Sequence, residues 1–163
     1  MKNFLGNIEE ILSAICLSIM VIIAFINVIG RYILGASLSF TDEATTYLFV
    51  LLSLLGAAIA AKRGAHLGLT IVLDVVSPGV EKVLKSIGLV FAVIFSGSIF
   101  YYGIFMTMRQ FARGQITAGM QWPEWIFGSF VPIGAFFLTI RFLQALIREI
   151  KSPAVRDEKE EVV

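Results

Sequence analysis

The sequence predicts an all-α integral membrane protein with four transmembrane helices and a cytoplasmic interfacial helix between spans two and three. Two observations predict it. Of the 163 residues, 58% are hydrophobic and only 15% charged, and the mean hydropathy of +0.87 lies far outside the range of soluble domains. The apolar residues are also gathered into long windows free of charge, at 11–30, 44–61, 86–108 and 125–140. Each approaches the roughly 20 residues that a helix needs to cross about 30 Å of hydrocarbon. A barrel would show short segments of alternating polarity, whereas these windows are apolar on every face.

Span one is expected at about 9–34. Glu9 and Glu10 precede its apolar run, which is too long for a cleavable signal and lacks a small-residue cleavage site, so it should remain as a signal anchor. Cys16, the single cysteine, falls within it, which excludes an intramolecular disulfide and a cysteine metal site. Span two is expected at about 42–63, span three at about 84–108 and span four at about 123–148, the last extended past Arg141 near a helix end. Between spans two and three, "HLGLTIVLDVVSPGVEKVLK" at 66–85 is too short and interrupted to cross. It suits a helix lying along the membrane surface, with Pro78 starting a segment that leads into span three; a re-entrant segment is the alternative. Residues 1–152 thus make one transmembrane domain. The tail at 153–163, "PAVRDEKEEVV", has the charge density of a disordered cytoplasmic end.

Orientation follows from the basic residues, which stay on the cytoplasmic side of span ends. Lys2, Lys62, Arg63, Lys82, Lys85, Arg141, Arg148, Lys151, Arg156 and Lys159 fall on one side, and only Arg31, Arg109 and Arg113 on the other. Both termini are therefore assigned to the cytoplasm. Trp122 and Trp125 then stand at the outer edge of span four, where an aromatic belt belongs. Small residues at helical spacing supply candidate contact faces: Ser53, Gly56, Ala57 and Ala60 in span two, Gly88, Ala92 and Ser96 in span three, and Gly128, Pro132, Ala135 and Thr139 in span four. Pro132 is also a candidate kink.

Charged groups cluster at one outer corner, "NVIGRYILGASLSFTDEATTY" at 27–47. Asn27 and Arg31 share a helix face; Asn27 suits an interhelical hydrogen bond and Arg31 an end anchor that reaches the headgroups. Ser39 and Asp42 read as a capping arrangement at the start of span two, where a carboxylate complements the helix dipole. Glu43 points about 100° away from Asp42 and is expected to pair with Arg31 across the short loop, as a clamp between spans one and two, with a partner chain as the alternative.

Enzyme chemistry finds little support. His66 is the only histidine, so no histidine cluster can hold a metal. No carboxylate pair lies deep in the spans for acid–base work, and "GAHLG" lacks the residues of a phosphate loop. The net charge of +1 gives no sign of nucleic acid. Ion-coupled transporters usually keep ionisable groups or paired broken helices at membrane depth, and with neither the chain looks insufficient to transport alone. A small membrane anchor or electron-transfer subunit is the alternative class, opposed by the single histidine.

In this order the polar residues also carry a resemblance. "NVIGRYILG", then "SFTDEATTYLFVLLSLLGAAIAAKRGAHLGL", then "MQWPEWIFGSFVPIGAFFLTIRFL" resemble the small membrane subunit, DctQ-like, of tripartite ATP-independent periplasmic (TRAP) transporters. Matching positions are Asn27, Val28, Arg31 and Tyr32; the acidic pair Asp42 and Glu43; Gly56, Ala57, Ala58, Lys62, Arg63 and His66; and Pro123, Trp125, Pro132 and Arg141. Phe40 stands where a Trp commonly precedes the acidic pair, and Thr70 where an Asp commonly follows the His.

The resemblance implies a bacterial inner-membrane complex. A periplasmic solute-binding protein delivers a carboxylate-bearing solute to the membrane subunits, and import runs on the sodium gradient. A larger polytopic subunit holds the solute and sodium sites, so no cofactor is expected in this chain. The small subunit then acts as scaffold in contact with lipids, with Asn27, Arg31, Asp42, Glu43, His66, Trp125 and Arg141 as structural or docking candidates.

Overall fold

The computed structural model describes residues 7–33, 35, 39–64 and 78–151. Helix α1 covers Ile8–Ile33, α2 Ser39–Lys62, α3 Pro78–Ala112, α4 Glu124–Gly128 and α5 Phe130–Lys151. Helices α4 and α5 follow each other as one span, Glu124–Lys151, so four helical spans are long and apolar enough to cross a membrane. Among the described residues no strand forms beyond one isolated bridge. His66 and most of the 66–85 surface segment lie outside the described residues, as does the 153–163 tail. From Pro78 onward the chain is already in α3, whose 35 residues extend about 52 Å and so run beyond the hydrocarbon. The overhang carries a Lys85–Glu81 ion pair of 2.6 Å, four residues apart, as suits a wet helix surface.

Proline explains the interruption of the fourth span. Pro132 has no N–H to give to the carbonyl of Gly128 four residues earlier, and the helix breaks at Ser129, one residue past that orphaned carbonyl. The break is shallow. Ser129 N–H donates to Trp125 O at 3.0 Å and Ile133 N–H to Ser129 O at 3.1 Å, so the chain continues in the same direction.

The spans stand in a row ordered α1, α2, α4/α5, α3. Extensive packing occurs between neighbours in that row, α1 on α2, α2 on α5 and α5 on α3. The ends of the row, α1 and α3, share no comparable contact, so the arrangement is open rather than a closed four-helix ring. The core lies where α1, α2 and α5 meet, with Cys16, Leu51 and Leu55 packed against Leu12, Leu48, Leu52, Phe130 and Phe137.

Smallness is concentrated on the fourth span. Gly128, Pro132, Gly134 and Ala135 are all buried there. A Cβ added at Gly134 would meet Leu54 Cβ at 2.7 Å, and one at Gly103 of α3 would meet Pro132 Cδ at 3.2 Å. The expected face of α2 is a correction: Ser53, Gly56 and Ala57 are exposed, and the buried positions are Leu51, Leu55, Ala58 and Ala61. The physical reason is complementarity. Leucines of α2 are the knobs, and the glycine and alanine on α5 form the hole, so α2 needs no small stripe there. On α3, Ser96 is buried as expected, Ala92 is half-buried and Gly88 is exposed.

Candidate functional site

Helix α3 ends through Gly114, whose φ of +58° is the left-handed conformation that glycine adopts at little cost. Residues 115–124 fold back as a tight hairpin. Glu124 N–H donates to Gln115 O at 2.9 Å and Thr117 N–H to Trp122 O at 2.8 Å, with Ile116 opposite Pro123. Its tip is one helical turn, closed by Gln121 N–H donating to Thr117 O at 3.1 Å. Thr117 is 2% exposed, and its hydroxyl accepts from Trp122 N–H at 3.1 Å. Gln121 holds a φ of +56°, strained for a residue with a Cβ; its side-chain amide donates to Ala118 O at 3.0 Å and offsets part of that strain.

A helical turn leaves its leading N–H groups without partners inside the turn, and three such groups together attract an anion. Glu43, from the first turns of α2, is that anion. Oε1 accepts from Ala118 N–H at 3.1 Å, and Oε2 accepts from Gly119 N–H at 2.9 Å and Met120 N–H at 3.1 Å. The carboxylate therefore caps a turn belonging to another part of the chain, and it locks α2 to the hairpin between α3 and α4. Hydrogen bonds to a charged group contribute about 1.5–3 kcal/mol each when sheltered; Glu43 is half-buried, so the three together are nearer the value of one or two.

This corrects the expected Arg31–Glu43 clamp. Both Glu43 oxygens are taken by the hairpin, and Arg31, exposed at the end of α1, has no ion pair among the described residues. The correction has a simple cause. Three fixed backbone donors of one turn outcompete a long side chain that must be ordered to pair. Asn27 is half-buried on α1 and Asp42 exposed on α2. Asp42 contributes through its backbone carbonyl, which accepts from Thr46 Oγ1 at 2.7 Å; the Ser39 side chain lies outside the described residues.

One turn inward from Glu43, Tyr47 stacks on Phe127 of α4 with ring centroids 4.9 Å apart and planes at 19°. Phe127 in turn meets Trp122 and Phe130. Trp125 turns the other way and packs edge-on against Phe111 of α3 at 5.6 Å. Aromatics thus join α2, the hairpin, α3, α4 and α5 at this corner.

The opposite ends of the helices are held by charge. Arg141 of α5 grips Glu9 of α1 with two bonds, Nε to Oε1 at 2.6 Å and Nη2 to Oε2 at 2.9 Å, and its Nη1 donates to Gln144 Oε1 at 2.8 Å. Glu9 is 2% exposed. A bidentate pair of this kind fixes geometry, and removing one partner strands a buried charge at a cost of about 3–5 kcal/mol. Beside it, Glu10 pairs with Lys62 at 3.1 Å and Arg63 at 3.4 Å at the end of α2. Arg141 was singled out by sequence. Glu9 and Glu10 figured there only as residues ahead of span one, although two acids at one span's start facing basic ends of two others were a usable signal. The hairpin donors are backbone groups and left no signal at all.

Four helical spans, with charges spent on joining them at both ends, define a multi-pass membrane subunit. The chain belongs to the DctQ component family of the tripartite ATP-independent periplasmic transporters, whose family model matches residues 20–152. It is 26% identical over 150 residues to the ectoine TRAP transporter small permease protein TeaB of Halomonas elongata, covering 92% of this chain and 78% of that one. It is 28% identical over 164 residues to the C4-dicarboxylate TRAP transporter small permease protein DctQ of Vibrio cholerae, covering 87% and 71%. The sialic acid TRAP transporter small permease protein SiaQ of Vibrio cholerae is 26% identical over 152 residues, covering 93% and 86%. The chain is accordingly a TRAP small permease subunit of the bacterial inner membrane, a transporter component and not an enzyme.

Proposed function

We propose that the chain is the rigid scaffold of a sodium-driven importer for carboxylate-bearing solutes, with solute and sodium sites on a larger polytopic partner and no cofactor of its own. A periplasmic solute-binding protein delivers the solute, and the Glu43 hairpin is the candidate surface on which it docks. Both termini face the cytoplasm, which puts the Glu9–Arg141 end inside and the hairpin outside, in keeping with the ten-to-three division of basic residues. The observation that carries the scaffold reading is that the best-held carboxylates, Glu9 and Glu43, both join one helix to another element. Freeing either carboxylate for a moving ion would break a join between elements. The membrane-anchor alternative loses ground to the family assignment.

The test is uptake in cells. A strain lacking this chain but keeping its larger partner is expected to lose import of the solute, chosen from C4-dicarboxylates, sialic acid and ectoine as named for the relatives. Replacing sodium by potassium should abolish the uptake of the intact strain. Normal uptake without the chain rejects the scaffold role, and sodium-independent uptake rejects the coupling.

A further inference from the structure

At the base of the hairpin that Glu43 caps, α3 and α4 line a cleft of about 560 Å³ whose walls include Tyr101, Phe105, Met106, Arg109, Arg113 and Glu124. The lining is graded. Arg109 and Arg113 stand four residues apart at the end of α3 and so share a face, and neither is ion-paired among the described residues. Two turns back along the same helix, Tyr101 packs against Phe105 with centroids 4.8 Å apart and Met106 is exposed beside them. Eight residues of helix separate Tyr101 from Arg109, about 12 Å.

The depth of this gradient is fixed by its neighbours. Gln110 Nε2 donates to Glu124 Oε1 at 3.2 Å, which sets Arg109 level with the start of the fourth span. The guanidiniums therefore stand where hydrocarbon ends, and the aromatic wall stands within it. Two cations and one carboxylate leave the mouth with a single positive charge. A ligand that satisfies both halves has a monoanionic head and a long apolar tail; a soluble anion leaves the aromatic wall uncovered, and a headgroup without net charge leaves one guanidinium unmatched.

We propose that this cleft is a binding site for one anionic glycerophospholipid, with its phosphodiester between Arg109 and Arg113 and its acyl chains along Tyr101, Phe105 and Met106. The inference does not depend on which ends of the helices face the cytoplasm, nor on the transported solute. Arg109 and Arg113 thereby gain a role beyond complementing the negative end of the α3 dipole.

The test is native mass spectrometry of the full-length chain, stripped of lipid in mild detergent and then given equal amounts of phosphatidylglycerol and phosphatidylcholine. One phosphatidylglycerol is expected to remain bound, favoured by about tenfold, since each basic group near a headgroup is worth on the order of fivefold and Glu124 subtracts from the pair. Arg109→Gln with Arg113→Gln should bring the preference to about one, while Arg31→Gln leaves it intact. Glu124→Gln, which keeps the acceptor for Gln110 and removes the opposing charge, should raise the preference, an outcome that misfolding cannot produce. Excess glycerol 3-phosphate should fail to displace the lipid. Equal retention of the two lipids, a preference indifferent to both the arginine and the Glu124 variants, or full displacement by glycerol 3-phosphate would overturn the proposal.

Discussion

Glu43 shows how much one side chain can decide. Its carboxylate closes three backbone donors of the hairpin at 2.9–3.1 Å, and no other described group replaces it. Glu43→Ala is expected to cost about 2 kcal/mol, the net worth of one to two charge-assisted bonds at a half-exposed site. For a chain of this length that corresponds to a drop of about 4–8 °C in apparent Tm, read by thermal unfolding in detergent. Arg31→Ala should leave Tm within about 1 °C, and the double variant should add the two effects without coupling. A coupling energy above about 0.5 kcal/mol would restore the Arg31 clamp. The acidic pair at 42–43 was legible in the sequence as a special place; its partner was not, because backbone N–H groups are common to every residue and only the fold of residues 115–124 aims three of them at one point.

At the scale of elements, the seams are asymmetric, large residues on α2 against small ones on α5. This predicts opposite outcomes for two glycines. A Cβ at Gly134 meets Leu54 Cβ at 2.7 Å, whereas one at Gly56 meets nothing within 4 Å. Gly134→Ala should destabilise the isolated chain by about 1–3 kcal/mol as the seam is forced apart; Gly56→Ala should be neutral or slightly stabilising through helix propensity. Equal melting of the two variants in detergent would contradict this packing. The four spans and the Pro132 interruption were legible because length, hydropathy and a missing N–H are local properties. Which face of each span turns inward was legible for the fourth, where small residues and proline coincide, and misread for α2, because a small stripe there has the same spacing whether it meets a neighbour or not.

The whole molecule is an open row with little interior. Only 6% of the most apolar window of the first span is buried, and 11% of the third, so the outer helices present broad apolar faces such as Phe25 on α1 and Phe91 and Phe95 on α3. Under the proposed scaffold role, the carboxylates engaged in joining its elements are not available to carry an ion. Proteoliposomes holding the chain alone should therefore show no sodium-dependent flux of C4-dicarboxylate, sialic acid or ectoine. Flux should appear when the larger subunit and binding protein are added. Transport by the chain alone would require a second use for residues that are here committed to joining helices.

Helix α2 is tied down twice, through Glu43 to the hairpin and through Lys62 to Glu10. Nineteen residues separate the two ties, about 28 Å of helix, close to the depth of a bilayer's oily layer. An unattached helix answers a thicker or thinner membrane by leaning. A strut pinned to its neighbours at both ends cannot lean by itself without breaking a tie, so α2 and the elements it is tied to must answer a change of thickness together. The two ties thus make the response to membrane thickness a property of the row and not of one helix.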